Sequence, residues 1–497
     1  MKTSRCLIAG TLALAVAAPV LAEPDLRQRV VEHRLANGMK FLLVQRGTAP
    51  IFSAYIRVKA GGADEPQGKT GVAHLLEHLA FKGTSIVGSR DWEQERPLLL
   101  EIARLGDELH STGKASERFR KLKAELDETT SRARSLQREN ALTELLVRNG
   151  ATNLNAETDK DLTSFHVSLP SNRLELWALL EASRMAAPVP RDFYAERSVV
   201  LEERRERIEG EPIGRLLEEL SIVAFSASPY RWPVVGWEAD LEALSVHDAL
   251  RFHRMHYAPC NTVAAIVGDI DVEATRAILE RTFGAIPARP APEPLDVREP
   301  ARHSERRSTV FYDSSPQLAV AFLKPTLPAR DDYVFDVIEL LLTEGRTSRL
   351  YQKLVTEDRL CSDVVSTMTP GARLPHLYVV LASPLAGQPL DTVEAALLRE
   401  LERLKQGAIE PVELARVRTR LDADFSRQLA TNDGMAETLS FFEAVAGDWR
   451  YLADHRRQIA SIDVADIQRV ASLYLTAENR TVVRLQRPDT ASQPEAR

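Results

Sequence analysis

From Val30 to Ala60 apolar and polar residues alternate in strand fashion, with Asn37-Gly38 marking a hairpin turn and Lys40 to Val44 and Phe52 to Lys59 reading as strands. Gly61-Gly62 breaks the second strand, and Gly68 to Gly71 leads into a short helix that begins near Ala73. Between Asp91 and Arg148 the period lengthens to that of a helix. Leu98, Ile102, Leu105 and Leu109 fall at helical spacing, with Leu122, Leu126 and Leu136 beyond, which predicts a long helical hairpin turning at Ser111-Thr112-Gly113. It reads as a solvated insertion without chemistry of its own. Strand logic returns at Asn153 to Leu169, where His166 alternates with apolar neighbours as a strand-surface residue. Arg173 to Ala186 reads as helix, Pro188 and Pro190 interrupt, and a second helix runs from about Asp192 to Glu209.

A longer-range pattern then emerges. Ser245-Val246-His247-Asp248 opens a helix to Tyr257, followed by Asn261 and the strand Val263 to Val267; Asp463-Val464-Ala465-Asp466 opens a helix to Tyr474, followed by Asn479 and the strand Thr481 to Leu485. The chain therefore reads as an internal duplication. The fold class expected is α+β: two homologous halves (23–286 and 304–497), each an antiparallel sheet packed with helices, joined by a Pro-rich linker (287–303), with the helical hairpin (about 91–148) inserted in the first half.

Composition changes the picture in two places. At 497 residues one core is improbable, and a formal charge of -7 spread among mixed charges gives no argument for nucleic acid. Lys2 and Arg5, the apolar run Leu7 to Ala18 and the small-residue close at Val20-Leu21-Ala22 read as a signal peptide (1–22) cleaved after Ala22, too short in its apolar run for a membrane anchor. The expected location is a bacterial periplasm. Removing that segment leaves Cys260 and Cys361, too few for a disulfide framework, and whether they pair is open at the level of sequence.

The short helix carries the chemistry, in the run Ala73-His74-Leu75-Leu76-Glu77-His78-Leu79. His74 and His78, four residues apart, project from one helical face, and Glu77 sits about 60° away. Two neutral nitrogen ligands and a carboxylate that serves water rather than metal are what a zinc hydrolase requires, and the order His-x-x-Glu-His is the inverted form of the commoner zinc-protease motif. Leu75, Leu76, Leu79 and Phe81 predict a buried helix, and buried ionisable groups need a partner, which a metal supplies. Zinc still lacks a third protein ligand. Glu196, Glu202, Glu203, Glu206 and Glu209 lie on the Asp192 to Glu209 helix; with Glu203 at zero on a wheel, Glu196 falls at about +20°, Val199 at about -40° and Val200 at about +60°. Glu203 on the valine face is the ligand expected, Glu196 its supporting carboxylate, and Glu206 the runner-up.

The motif helix with Phe81-Lys82-Gly83-Thr84, the Asn155-Ala156-x-Thr158 strand, the Glu196 to Glu203 helix and Pro229-Tyr230-Arg231-Trp232-Pro233 resemble the pitrilysin and insulinase family of zinc metallopeptidases, in its bacterial, processing-peptidase-like branch. The resemblance implies one zinc ion per chain held by His74, His78 and Glu203, Glu77 as general base, Glu196 in support, and Asn155, Ala156 and Thr158 receiving the substrate backbone by strand addition. It further implies, in the second half, an Arg and a Tyr that stabilise the transition state after a helix like Gly345 to Tyr351. Val355 and Ser362 stand at those positions, so the expected enzyme is the zinc-bearing subunit of a heterodimer whose homologous partner supplies the Arg/Tyr pair. Substrates would be peptides or unfolded segments. The alternatives are a non-catalytic structural or binding subunit and a zinc-storage protein; the latter has no use for Glu77.

Overall fold

The computed structural model describes residues 26–407 and 409–488; the predicted signal peptide lies outside them. Six strands form the first sheet: β1 (Val31–Arg34), β2 (Lys40–Gln45), β3 (Ile51–Val58), β4 (Thr152–Thr158), β5 (Thr163–Pro170) and β6 (Thr262–Gly268), in the order β1-β2-β6-β3-β5-β4. Five form the second: β7 (Arg306–Phe311), β8 (Gln317–Lys324), β9 (Cys361–Thr369), β10 (His376–Pro384) and β11 (Arg480–Gln486), in the order β7-β11-β8-β10-β9. The molecule is α+β, with helices packed on both sheets.

The second sheet repeats the order of β2 to β6. In each, the strand that arrives last in sequence, β6 or β11, enters from a helix and slots between the first two. It is antiparallel to β3 or β8 but parallel to β2 or β7, so the expectation of purely antiparallel pairing misses one parallel pair per sheet. The junctions match in detail. Ser245 and Asp463 each close a capping box with the aspartate three residues on. The Asn261 amide donates to the carbonyls of His256 and Lys59, and the Asn479 amide to those of Tyr474 and Leu323. The helices end at His256 and Tyr474, so Tyr257 and Tyr474 are not equivalent as the sequence pattern suggested.

Each sheet is covered on one face by the other half. Helix Asn432–Val445 brings Met435, Ala436 and Leu439 onto Leu42, Val44, Tyr55, Ala265 and Val267 of the first sheet. Helix Pro212–Ala224 brings Leu216, Leu220 and Ala224 onto Ala319, Ala321, Val379 and Val483 of the second. This is why β6 is buried at every position and reads as a continuous apolar run. Between Ala285 and Arg306 the chain forms neither helix nor strand.

The insertion is a helical hairpin, Trp92–His110 and Glu117–Ser135, capped by Asp91 and Ser116 and followed by a short helix, Ala141–Arg148. Leu99, Ile102, Leu105, Leu122, Leu126 and Ala133 form its seam, while Leu98 and Leu109 are only partly buried. Cys260 and Cys361 are both free thiols. No helix among the described residues is long and apolar enough to cross a membrane.

Candidate metal centre

The motif helix spans Val72–Ala80 and starts abruptly. Gly71 sits at φ 88°, and a Cβ there would lie 2.6 Å from both Leu241 Cδ2 and Val235 O, so only glycine fits. The buried Glu65 carboxylate caps the helix, accepting from the Gly71 and Ala73 amides at 2.9 and 2.8 Å. Leu75, Leu76 and Leu79 are buried, which leaves the polar trio to converge on the open side.

His74 Nε2 lies 3.7 Å from Glu203 Oε2 and His78 Nε2 lies 3.5 Å from the same oxygen; the imidazoles are perpendicular, with centroids 4.8 Å apart. Four ligands about 2.1 Å from a tetrahedral zinc ion stand roughly 3.4 Å from one another, and the two histidine–Glu203 separations are close to that spacing. Among the described residues this is the one group of three such side chains whose ligand atoms all lie within 4.8 Å. Burial, together with the neighbouring His78, pushes His74 down to about 4, so it stays the neutral imidazole a metal needs. Burial opposes charge on His78 as well, but bonds to Glu196 and Glu203 raise it to about 9, so its proton must leave for a metal to bind. The bond to His78 holds the Glu203 carboxylate below the usual range.

The other carboxylates of that helix are sorted by geometry. Glu202 is exposed and pairs with Arg205, Glu209 pairs with Arg204, and Glu206 is exposed in the π turn Arg205–Glu209. Glu203 is therefore brought to the histidines and Glu206, the runner-up, is not. Of the two valines expected on the ligand face, Val200 is fully buried but Val199 is 50% exposed, so the helix packs through a narrower stripe. Glu203 Oε1 accepts from Arg207, four residues on, at 2.6 Å. Glu196 Oε2 lies 3.4 Å from His78 Nδ1 and its Oε1 lies 2.6 Å from Lys82 Nζ. Burial opposes charge on Glu196, yet the bonds from His78 and Lys82 hold it below the ordinary range. Sequence reasoning gave no role to Lys82, Arg207 or Glu65. The Glu203/Arg207 spacing was readable; the other two needed the tertiary structure.

Glu77 is buried, and the Thr158 hydroxyl donates to its Oε2 at 2.6 Å. Burial raises its carboxyl against that bond. Thr158 ends β4, the outermost strand of its sheet, where Asn155 is exposed and Ala156 packs toward the motif helix. In the second half, Val355 packs against the core and the Ser362 hydroxyl donates to Ser383 O at 3.1 Å.

Comparison with known proteins places the fold in a family. Residues 40–117 match the model of insulinase, peptidase family M16, and residues 243–421 match that of the peptidase M16 inactive domain. The chain is 26% identical over 456 residues to zinc protease PqqE of Helicobacter pylori, covering 90% of this chain and 91% of that one. A crystal structure of a protease from Helicobacter pylori superposes with a TM-score of 0.78 at 24% identity, covering 92% of this chain and 99% of that one. The periplasmic protease PqqL of Escherichia coli superposes with a TM-score of 0.68 at 15% identity; 94% of this chain covers 48% of that one, so the fold corresponds to about half of the longer protein. The matched segments take in the motif helix and much of the second half: the chain belongs to the pitrilysin/insulinase family, peptidase family M16.

Proposed function

We propose that this chain is a zinc metalloendopeptidase that hydrolyses peptides or unfolded segments in the periplasm, as the zinc-bearing subunit of a dimer with a homologous chain. The observation that carries it is the convergence of His74, His78 and Glu203 on one point, with Glu77 beside them. A zinc ion bound there supplies a Lewis acid and lowers the pKa of water. Glu77, its carboxyl raised by burial and oriented by Thr158, takes a proton from the attacking water and passes it to the leaving nitrogen. The open edge of β4 offers backbone groups to an extended peptide beside Asn155, Ala156 and Thr158, so a folded substrate would have to unfold to reach Glu77. The periplasmic location rests on the reading of residues 1–22 and on the name of the Escherichia coli relative.

A partner is supported by two positions of the second half. Val355 and Ser362 offer no cation or phenol for the developing oxyanion, and this fold accounts for about half of the longer PqqL chain. The same observation favours one second reading, a non-catalytic subunit. Hydrolysis of a quenched-fluorescent peptide library by the mature protein, alone and mixed with a homologous chain, tests both. Cleavage only in the mixture, abolished by Glu77→Gln, supports the split site; cleavage by the protein alone removes the need for a partner; silence in both with zinc bound supports the non-catalytic reading.

A further inference from the structure

We infer that Lys82 is a positioning residue of the metal centre and that the helical insertion, through Glu95 and Arg191, holds it in place; the inference rests on the metal-centre reading above. Immediately after the motif helix the chain forms a tight loop from Lys82 to Gly88, closed by the Thr84 amide on Val87 O at 2.8 Å. Arg191 lies under this loop at 2% exposure. Its Nε and Nη2 donate to the two oxygens of Glu95 at 2.8 and 3.1 Å, Nη2 also to Thr84 O at 2.9 Å, and Nη1 to Lys82 O and Val87 O at 3.0 and 3.4 Å. All five guanidinium protons are used, three of them on loop carbonyls, which a lysine could not reproduce. Gly83 and Gly88, at φ 90° and 101°, leave room for it, since a Cβ at either would lie 3.1 Å from Arg191 Nη1.

Glu95 has no exposed surface and comes from the first turn of helix Trp92–His110. The insertion thus supplies the only carboxylate on Arg191 among the bonds described, and a buried guanidinium stripped of it would be an uncompensated charge. The consequence reaches the metal site in three steps. The clamp fixes the Lys82 backbone; Lys82 Nζ meets Glu196 Oε1 at 2.6 Å; and Glu196 Oε2 faces His78 Nδ1 at 3.4 Å, on the side of the ring opposite the atom that faces Glu203. Without Lys82, Glu196 has a single partner and can rotate away from His78. The insertion, expected from its sequence to be chemically inert, is then part of the framework that orients a ligand.

The test is zinc affinity by chelator competition on the full mature chain, with the thermal midpoint of each metal-free variant measured alongside. Lys82→Met raises the zinc Kd about 10- to 100-fold with an unchanged metal-free midpoint, and Lys82→Arg restores it to within about threefold. Glu95→Gln raises the Kd in the same direction. Tight binding by the wild type that Lys82→Met leaves untouched overturns the role of Lys82; a normal Kd in Glu95→Gln overturns the role of the insertion. No zinc binding by the wild type overturns the metal-centre reading itself.

Discussion

Among single residues, Glu77 is proposed to carry the proton and the two histidines to hold the metal. Glu77→Gln keeps the size of the side chain and its bond to Thr158, so bound zinc measured by atomic absorption stays equal to wild type while kcat falls about 10²- to 10⁴-fold. A zinc-storage protein would lose nothing. A second prediction concerns pH. Burial, with Lys324 beside it, pushes His376 down to about 3, far below its ordinary 6.5. The native state therefore refuses a proton that the unfolded chain accepts. Stability from this site is complete above pH 6.5 and is lost as pH falls from 6.5 toward 3, by about 1.4 kcal/mol per pH unit. His376→Gln, whose amide oxygen can still accept from Lys324, should flatten that part of the profile in urea midpoints measured from pH 7 to 4.5; parallel profiles for both proteins would contradict it. The grouping of His74, His78 and Glu203 was legible in sequence because helical spacing fixes which side chains share a face. Lys82 and Arg191 were not, because their partners lie far off in sequence, Glu196 for Lys82 and Glu95 for Arg191, and no periodicity links them.

At the scale of elements, the position of the motif helix depends on how it begins. Gly71 allows a start that no other residue tolerates, and Glu65 accepts hydrogen bonds from two amides there. Gly71→Ala should cost about 1–3 kcal/mol in urea denaturation and weaken zinc binding with it, since the whole helix must shift to clear Leu241 and Val235. An unchanged zinc Kd in a destabilised variant would separate the helix start from the metal site. The strands and the hairpin insertion followed from alternation and helical spacing. What alternation could not reveal is that β6 and β11 insert between earlier strands, because period two marks a strand without naming its neighbours. Nor could it separate Leu98 from Leu99 on the insertion seam, one step apart on a helix whose face is decided by what packs on it.

At the scale of the whole molecule, the two halves are interlocked rather than strung together. Each lends a helix to the other's sheet, and the β9–β10 loop enters the first half, where Asp161 accepts from the Ala372 and Arg373 amides at 2.6 and 2.8 Å and Arg373 reaches Asp64 at 2.8 Å. Expressed alone, residues 23–286 would expose Leu42, Val44, Ala265 and Val267 to water; the isolated half should be insoluble or bind a hydrophobic dye, and co-expression with 304–497 should restore a soluble complex. A stable, dye-free first half would show that the exchanged helices are dispensable. The duplication was legible because both copies keep the same capping box, asparagine bracket and strand, whereas the exchange of helices is a property of the assembled halves. That His74, His78 and Glu203 hold one zinc ion beside which Glu77 takes the proton of the attacking water can be checked by titrating zinc into the metal-free protein and following peptide hydrolysis, with the homologous chain present if cleavage requires it, against metal bound. The rate should rise with occupancy and saturate at about one zinc per chain, with no rise at the same occupancy for Glu77→Gln. A rate independent of occupancy, or a Glu77→Gln protein as active as wild type, would contradict it.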